Sequence, residues 1–206
     1  MRIAVTIVSV ALCLFVTACA SEKAMRTGFL KNYGQLKSDP AVGGALRYVS
    51  PSGYTYKQFM IDPIAVYFAA NAKGSGIDPE KLTVLTRYFR DNLTKRLRKN
   101  YRVVRAKGRG VARIRIAITD VEETDPLLNI HPAMKLTGAG LGGASMEGEL
   151  VDSLSGRRLG AIVETRSGDR LAMAAGLSRL GHAKQVIDYW INRFVTNLDR
   201  AQGKRK

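Results

Sequence analysis

Alternation of apolar and polar residues predicts the strands of this chain. In the clearest example, within residues 111–121, Ile114, Ile116 and Ile118 alternate with Arg113 and Arg115. A period of two places the isoleucines on one face of a strand and the arginines on the other. The pattern therefore predicts a sheet with one buried and one wetter face, as antiparallel sheets commonly have.

A period of three to four residues predicts two helices. Asp78-Pro79-Glu80 supplies an N-cap, a proline in the first turn and an early acid, so a helix should begin there. Its apolar stripe consists of Leu82, Leu85, Phe89, Leu93 and Leu97. A second amphipathic helix is predicted near the C-terminus, with Trp190 in its buried stripe: Val186, Ile187, Trp190, Ile191, Phe194, Val195 and Leu198.

Two hairpins are predicted, because two pairs of apolar runs each surround a short turn with glycine and charged residues. Their strands and turns are 101–105 and 111–121 around Lys107-Gly108-Arg109-Gly110, and 146–154 and 159–166 around Ser155-Gly156-Arg157.

The segments outside these elements are less regular. Residues 56–68 form a predicted strand that is interrupted by Asp62-Pro63, so it should lie at a sheet edge or bend there. Residues 28–53 carry aromatic side chains among Gly, Pro and Ser, which favours an extended arm packed on the domain surface over a regular element. Residues 170–180 predict a short helix.

The N-terminus has the three parts of an export signal: Arg2, an apolar run over Ile3–Val16, and small residues before Cys19. The run is shorter than the ~20 apolar residues of a membrane-spanning helix. Thr17-Ala18-Cys19 resembles the lipobox of bacterial lipoproteins, which implies lipidation of Cys19 and removal of residues 1–18. Ala20 after the Cys resembles the outer-membrane sorting pattern. An uncut anchor or an ordinary export signal is the alternative.

The order of elements predicts an α+β fold, namely a two-layer domain in which two long helices pack on an antiparallel-dominated sheet of about five strands. Residues 19–206 are long enough for one domain with its own core. We expect a signal peptide over 1–18, a lipidated Cys and flexible tether over 19–27, and a single α+β domain over 28–206 that starts with the extended arm. Cys13 lies in the discarded signal, so the mature chain can form no internal disulfide.

Charge is strongly positive, at +16 for the whole chain. Export argues against nucleic acid as the partner, so anionic lipid, lipopolysaccharide or an acidic envelope protein is the expected partner for such charge. The candidate contact surface lies on the first helix. It consists of Arg87, Arg90, Arg96, Arg98 and Lys99. A solvated helix face without a partner is the plain alternative.

Several motifs together resemble the bacterial lipoprotein family known as domain of unknown function 3313. The resemblance covers nearly all of the mature chain and implies an exported lipoprotein with no established catalytic activity, cofactor or ligand. The residues that carry it are Gly28-Phe29-Leu30 with Tyr33 and Leu36, Leu46-Arg47-Tyr48-Val49 with Pro51, Ile61-Asp62-Pro63-Ile64, Gly142-Gly143-Ala144 to Glu149, Asp152-Ser153 with Gly156, and Asp188-Tyr189-Trp190.

The search for catalytic chemistry gives weak signals. Glu147 and Glu149 share one strand face, so they form either a carboxylate pair for acid–base work or cross-strand partners for cations such as Arg113 and Arg115. A periplasmic hydrolase using Glu147, Glu149 or Asp152 is the enzyme alternative, although the chain has no Gly-x-Ser-x-Gly nucleophile motif.

Cofactor and metal binding are not expected. The glycine-rich stretch 138–143 lacks the preceding strand and following helix of a dinucleotide site, so a loop or bulge is favoured. His131 and His182 are the only histidines, too few ligands for a zinc-type site. The prediction is a non-enzymatic outer-membrane lipoprotein, facing the periplasm, that acts by binding or scaffolding.

Overall fold

Eight strands and two long helices form the part of the chain that the computed structural model describes, residues 26–51, 55–127, 141–169 and 173–204. The elements in chain order are β1 Lys37–Ser38, β2 Leu46–Val49, β3 Gln58–Ile61, β4 Ala65–Val66, a 3-10 turn Lys73–Gly76, α1 Pro79–Leu97, β5 Arg102–Val104, β6 Val111–Glu122, β7 Gly143–Asp152, β8 Arg158–Ser167, a four-residue helix α2 Met173–Gly176, and α3 Gly181–Ala201.

The strands build one mixed sheet in the order β1-β2-β8-β7-β6-β3-β5, with β4 pairing β6 beyond the end of β3. The run from β1 to β6 is antiparallel, whereas β3 and β4 are parallel to β6 and β5 is parallel to β3. The α+β class and the mostly antiparallel sheet are thus as predicted. The expected number of about five strands was too low, because short segments such as β1, β4 and β5 also pair.

One of the two predicted hairpins is wrong. β5 and β6 are not neighbours, because β3 lies between them and pairs in parallel with both. The predicted strand over residues 56–68 is divided into β3 and β4 at Asp62-Pro63, because the proline cannot donate a hydrogen bond to the ladder. The second hairpin is confirmed: β7 pairs β8 antiparallel, and Gly156 takes the left-handed conformation (φ 72°) that its turn requires.

Both long helices pack as their sequences predict, and α1 also begins where its sequence predicts. Asp78 caps α1 by accepting a hydrogen bond from Glu80 N at 2.8 Å, with Pro79 in the first turn. Leu85, Phe89, Leu93 and Leu97 form its buried stripe. In α3 the corresponding stripe includes Val186, Ile187, Trp190, Ile191, Val195 and Leu198.

The two helices cover the same face of the sheet and run parallel to each other. Contacts between them move toward the C-terminal end of both helices together, from Tyr88 with Asp188 to Asn100 with Asp199. The main core lies between these helices and the sheet residues that alternate toward them, such as Ile114, Met146 and Leu150. Burial of this layer is the main source of stability.

The opposite face of the sheet is covered by the N-terminal arm, residues 27–36. Leu30 and Leu36 pack there on Ala161 and Val163 of β8, in a second and smaller apolar cluster. The predicted arm is therefore packed on the domain, but residues 37–38 and 46–49, which were expected to be irregular, are strands β1 and β2. The pairing of β2 with β8 is long-range and leaves no periodic signal in four residues.

Candidate binding sites

A buried carboxylate holds the arm on the sheet. Glu147 of β7 is fully buried and accepts four hydrogen bonds from the arm: from Thr27 N at 2.6 Å, Thr27 Oγ1 at 3.0 Å, Leu30 N at 3.1 Å and the Tyr33 hydroxyl at 2.6 Å. Burial and the bond to Glu147 raise the pKa of Tyr33. The carboxylate oxygens thus satisfy backbone donors that have no strand partner of their own.

The neighbouring carboxylate, Glu149, is paired with cations instead. Arg115, directly opposite on β6, donates Nη1 to Glu149 Oε1, and Arg158 donates Nε and Nη2 to Oε2 at 3.1 and 3.0 Å. Arg158 also reaches back to the arm, donating Nη1 to the carbonyl of Asn32 at 2.6 Å. Of the two predicted cross-strand cations, Arg115 pairs with Glu149, whereas Arg113 forms a bidentate pair with Asp62.

Asp152, the third candidate acid, belongs to the β7–β8 turn. Its Oδ1 accepts from Leu154 N, Ser155 N and the Ser155 hydroxyl, and its Oδ2 accepts from the Tyr56 hydroxyl at 2.8 Å. The bonds from Ser155 and Tyr56 lower the pKa of Asp152 to about 2. The three predicted carboxylates therefore do not meet in one cleft, and each has a hydrogen-bonding role in the fold.

The predicted basic surface divides along α1. Arg87, Arg90, Arg98 and Lys99 are exposed and have no ion-pair partner in the described ranges, whereas Arg96 donates Nε to Asn192 of α3 at 3.4 Å. At about 100° per residue, Arg87, Arg90 and Arg98 share the outer side of α1, and Arg96 and Lys99 lie nearer α3. Three of the five cations thus form a common surface.

His182 is a buried residue of the α3 N-terminus. Its Nδ1 lies 3.2 Å from Thr124 Oγ1 and accepts from Gly142 N at 3.4 Å, while Gly168 packs so closely that a Cβ there would sit 2.4 Å from the ring. Burial lowers the pKa of His182. The arrangement is that of a neutral packed histidine.

A pocket of about 140 Å³ opens between α1, α3 and the strands β2, β7 and β8. Apolar side chains form most of its wall, including Phe89, Ile162 and Trp190. Trp190 is only 3% exposed and stacks on Phe89, with 6.3 Å between ring centroids, so its predicted core position is confirmed. The exposed residues Val49 and Asn197 lie at the mouth.

An ionic network lies beside this pocket, and sequence reasoning did not single it out; three of its members, Arg47, Glu164 and Arg193, line the pocket. Arg193 of α3 donates to Glu164 Oε2 at 2.8 Å and also to Asp39, and Arg47 lies 3.6 Å from the same Asp39 oxygen. Burial raises the pKa of Glu164, and the nearby Arg193 charge only partly offsets it. For Asp39 burial is outweighed by the Ala41 N–H and the two arginines, so its pKa is lowered. The sequence did contain one signal for this network. Glu164 lies two residues after Ile162 in the predicted strand 159–166, so this acid shares a strand face with an apolar residue.

Other predicted features lie outside the described residues, namely Cys19, His131 and the glycine-rich stretch as far as Gly140. Across the described ranges, no group of three or more His, Cys, Asp or Glu side chains is placed to hold a metal ion. None of the helices in those ranges is both long and apolar enough to cross a bilayer.

Comparison with family models gives one match, to the family described as protein of unknown function (DUF3313), over residues 25–194. This match spans most of the chain. The chain belongs to the DUF3313 family. The matched residues include the arm, Glu147, Glu149 and the pocket residues Glu164, Trp190 and Arg193, whereas Asn197 at the pocket mouth lies beyond them.

Solved structures give distant similarities. One is a PelC dodecamer from Paraburkholderia phytofirmans that carries a point substitution; its TM-score is 0.43 at 14% sequence identity, and the match covers 70% of this chain and 91% of that one. A second crystal form of the PelC dodecamer gives a TM-score of 0.40 at 12% identity, with 70% of this chain and 96% of that one covered. A third is a Xanthomonas campestris protein of the family model DUF330, with a TM-score of 0.40 at 12% identity; the match covers 75% of this chain and 94% of that one. No curated protein matches the chain.

Proposed function

We propose that this DUF3313 protein is a lipid-anchored envelope protein with a non-catalytic binding or scaffolding role. Residues 1–18 act as a signal peptide, Cys19 carries the diacylglycerol and acyl chains, and the domain faces the periplasm from the outer membrane. The observation that carries the proposal is the arm: the chain is fixed to the sheet by Glu147 from Thr27 onward, just after the candidate lipidation site.

The docked arm limits how far the domain can move from the membrane. Only seven residues, Ala20 to Arg26, separate Cys19 from Thr27. Fully extended, they span at most ~25 Å, which is less than the diameter of most domains. Lipidation at Cys19 would therefore hold this domain against the bilayer, with the arm face toward the anchor.

The positions of the candidate acids favour binding over hydrolysis. Glu147 holds the arm, Glu149 is paired with two arginines and Asp152 caps a turn with a lowered pKa. A general acid at neutral pH needs a raised pKa and access to substrate. Glu147 and Glu149 are buried beneath their protein partners, and the pKa of Asp152 is lowered rather than raised.

Metabolic labelling with an alkyne fatty acid tests the proposal directly. The wild-type chain is expressed in a bacterial host, and Cys19→Ala is compared with Cys13→Ala, since these are the two cysteines of the sequence. We expect label in wild type and Cys13→Ala and none in Cys19→Ala, together with loss of Cys19→Ala from the outer-membrane fraction. Absence of label in wild type, or label that survives Cys19→Ala, would contradict the lipid anchor.

The basic surface supports a second, more specific role. Arg87, Arg90 and Arg98 are exposed on α1, on the side of the sheet opposite the docked arm. We propose that this surface binds an anionic partner, such as anionic lipid, lipopolysaccharide or an acidic envelope protein. A partner that approaches from the side away from the anchor fits this placement best.

A further inference from the structure

The pocket beside α3 follows a row of residues that crosses four strands. Ile116, Gly148, Ile162 and Arg47 stand opposite one another on β6, β7, β8 and β2, and all four line the pocket. Three strand spacings of about 4.8 Å make this row ~14 Å long. The pocket reaches inward to Phe89, which is 2% exposed, whereas its β2 end is open because Arg47 is exposed. Its shape is therefore that of a slot rather than a round cavity.

Two glycines keep the slot open, although their backbone does not require glycine. Gly148 of β7 and Gly160 of β8 line it, and neither has a positive φ. A Cβ on Gly148 would meet its nearest neighbours at 3.6 Å, and one on Gly160 would lie 3.4 Å from the Tyr48 carbonyl. The strands would thus accept larger residues, which would fill the slot. Because glycine weakens a strand interior and often marks close approach of a ligand, these positions indicate an occupant.

Arg47 places a cation at the open end of the slot, beside the exposed side chain of Val49. The Arg47 side chain is 41% exposed, and its Nε lies 3.6 Å from Asp39 Oδ2, which is longer than a hydrogen bond. Its guanidinium N–H groups can therefore donate to an anionic group at the mouth. Arg193 also lines the pocket but is already bonded to Glu164 and Asp39. The mouth thus combines an apolar wall with a positive charge.

Size and shape together define the ligand class. A dry apolar cavity of about 150 Å³ in an unrelated protein binds benzene, and the present pocket measures about 140 Å³. This volume, spread along a row of ~14 Å, makes a narrow path that fits one extended hydrocarbon chain and excludes a second. A two-chain phospholipid could therefore bury only one of its chains here. The dimensions and the mouth favour a single chain that ends in an anion.

We propose that this slot binds a free fatty acid. The hydrocarbon chain lies along the row from Arg47 to Ile116, between the strands and α3, and the carboxylate accepts hydrogen bonds from Arg47 at the mouth. The chain makes the packing contacts that Gly148 and Gly160 do not supply, so hydrocarbon burial provides most of the affinity and the ion pair a smaller part. The site lies wholly within the domain, so binding does not depend on lipidation of Cys19.

Trp190 lines the slot and is the only tryptophan of the chain, so its fluorescence reports on the occupant without a label. The full-length protein in phosphatidylcholine vesicles is titrated with ω-bromoundecanoic acid, whose bromine quenches a nearby indole, and in parallel with ω-bromoundecanol, which lacks the charge. We expect saturable quenching by both compounds and about two- to fivefold tighter binding of the acid, the contribution of a half-exposed ion pair. Because the vesicles supply excess phospholipid, saturable quenching also shows that a bilayer lipid does not fill the slot.

Three substitutions test the slot and its mouth separately. Gly148→Val fills the slot with a residue that suits a strand, and Gly76→Val, at an exposed site with nothing within 4 Å of the added Cβ, is its matched control. Quenching by both compounds should be lost in Gly148→Val and kept in Gly76→Val, with circular dichroism checking the fold.

Arg47→Gln should keep the quenching by the alcohol and lower the affinity for the acid to that of the alcohol. Unsaturable or absent quenching of the wild type overturns the proposal, and so does equal binding of the two compounds. Neither of these results needs a variant to be observed.

Discussion

Two buried glutamates on the central strands differ in how their oxygens are satisfied. Glu147 accepts four hydrogen bonds from the arm, whereas Glu164 pairs through one oxygen with Arg193 of α3. The alternation of β7 correctly puts Glu147 and Glu149 on one face. It could not show which of them an arm more than a hundred residues earlier would cover, because that contact depends on tertiary structure.

At Glu147, removal of the carboxylate should release the arm. Glu147→Ala leaves Thr27 N and Leu30 N without an acceptor, so we expect a loss of about 1–3 kcal/mol in the free energy of unfolding and faster amide exchange at Leu30. Glu122→Ala, at an exposed ion pair with Lys73, is the control and should change stability by less than about 1 kcal/mol. Denaturant titration and hydrogen exchange measure both. Unchanged exchange at Leu30 in Glu147→Ala would refute the role of the carboxylate.

His182 should make the fold sensitive to acid. Because burial lowers its pKa below the ordinary value of 6.5, the unfolded chain binds a proton more readily than the folded one as pH falls below that value. Stability from this residue is therefore full above pH ~6.5 and decreases on acidification, by at most about 1.4 kcal/mol per pH unit.

Denaturant midpoints measured from about pH 8 to about pH 5 test this pH dependence. His182→Gln should show less of the decrease than wild type, and His131→Gln, the other histidine of the sequence, should keep it. A decrease of the same size in wild type and His182→Gln would show that His182 is not its source.

At the scale of elements, local patterns predicted what local interactions determine. α1, α3 and the β7–β8 hairpin were predicted from their apolar stripes, the Asp78 cap and the Gly156 turn. Pairings between distant segments were missed or wrong: β2 with β8, and β3 between β5 and β6. Alternation determines which face a side chain takes, but it carries no information on which strand lies alongside.

The cap of α1 offers a measurable local contribution. Asp78→Ala removes the acceptor for Glu80 N, and we expect it to lower the free energy of unfolding by about 1 kcal/mol. Asp91→Ala removes an exposed aspartate from the middle of the same helix and is the matched control, with a change within about 0.5 kcal/mol. Equal effects of the two substitutions in urea titrations would mean that the cap contributes nothing particular.

At the scale of the whole molecule, the sheet separates two surfaces with different roles. The arm docks on one face through Glu147 and the Leu30 cluster, and the helices cover the other. The acidic and basic residues within the sheet are largely paired across the arm face, as with Arg115 and Glu149. The unpaired cations on the outer side of α1 therefore point away from the proposed anchor.

This separation predicts that the protein can link two surfaces. When anchored in neutral vesicles, it should bind a second population of anionic vesicles, with binding that weakens as salt rises. Arg87→Glu with Arg98→Glu should weaken it more than about tenfold, at roughly 1 kcal/mol per cation near the surface. Lys31→Glu with Lys37→Glu, which makes the same charge change on the arm side, should have a smaller effect. Light scattering records the clustering, and equal effects of the two pairs would argue against an α1 contact surface.

The central claim is that Cys19 is the lipid anchor of this domain, and intact mass spectrometry of the protein extracted from the outer membrane tests it most directly. The account predicts a chain that begins at Cys19 and carries the added mass of a diacylglyceryl group and an acyl chain on that residue. A chain that retains residues 1–18 would contradict it. So would a chain whose first residue is an unmodified Cys19 or any other residue.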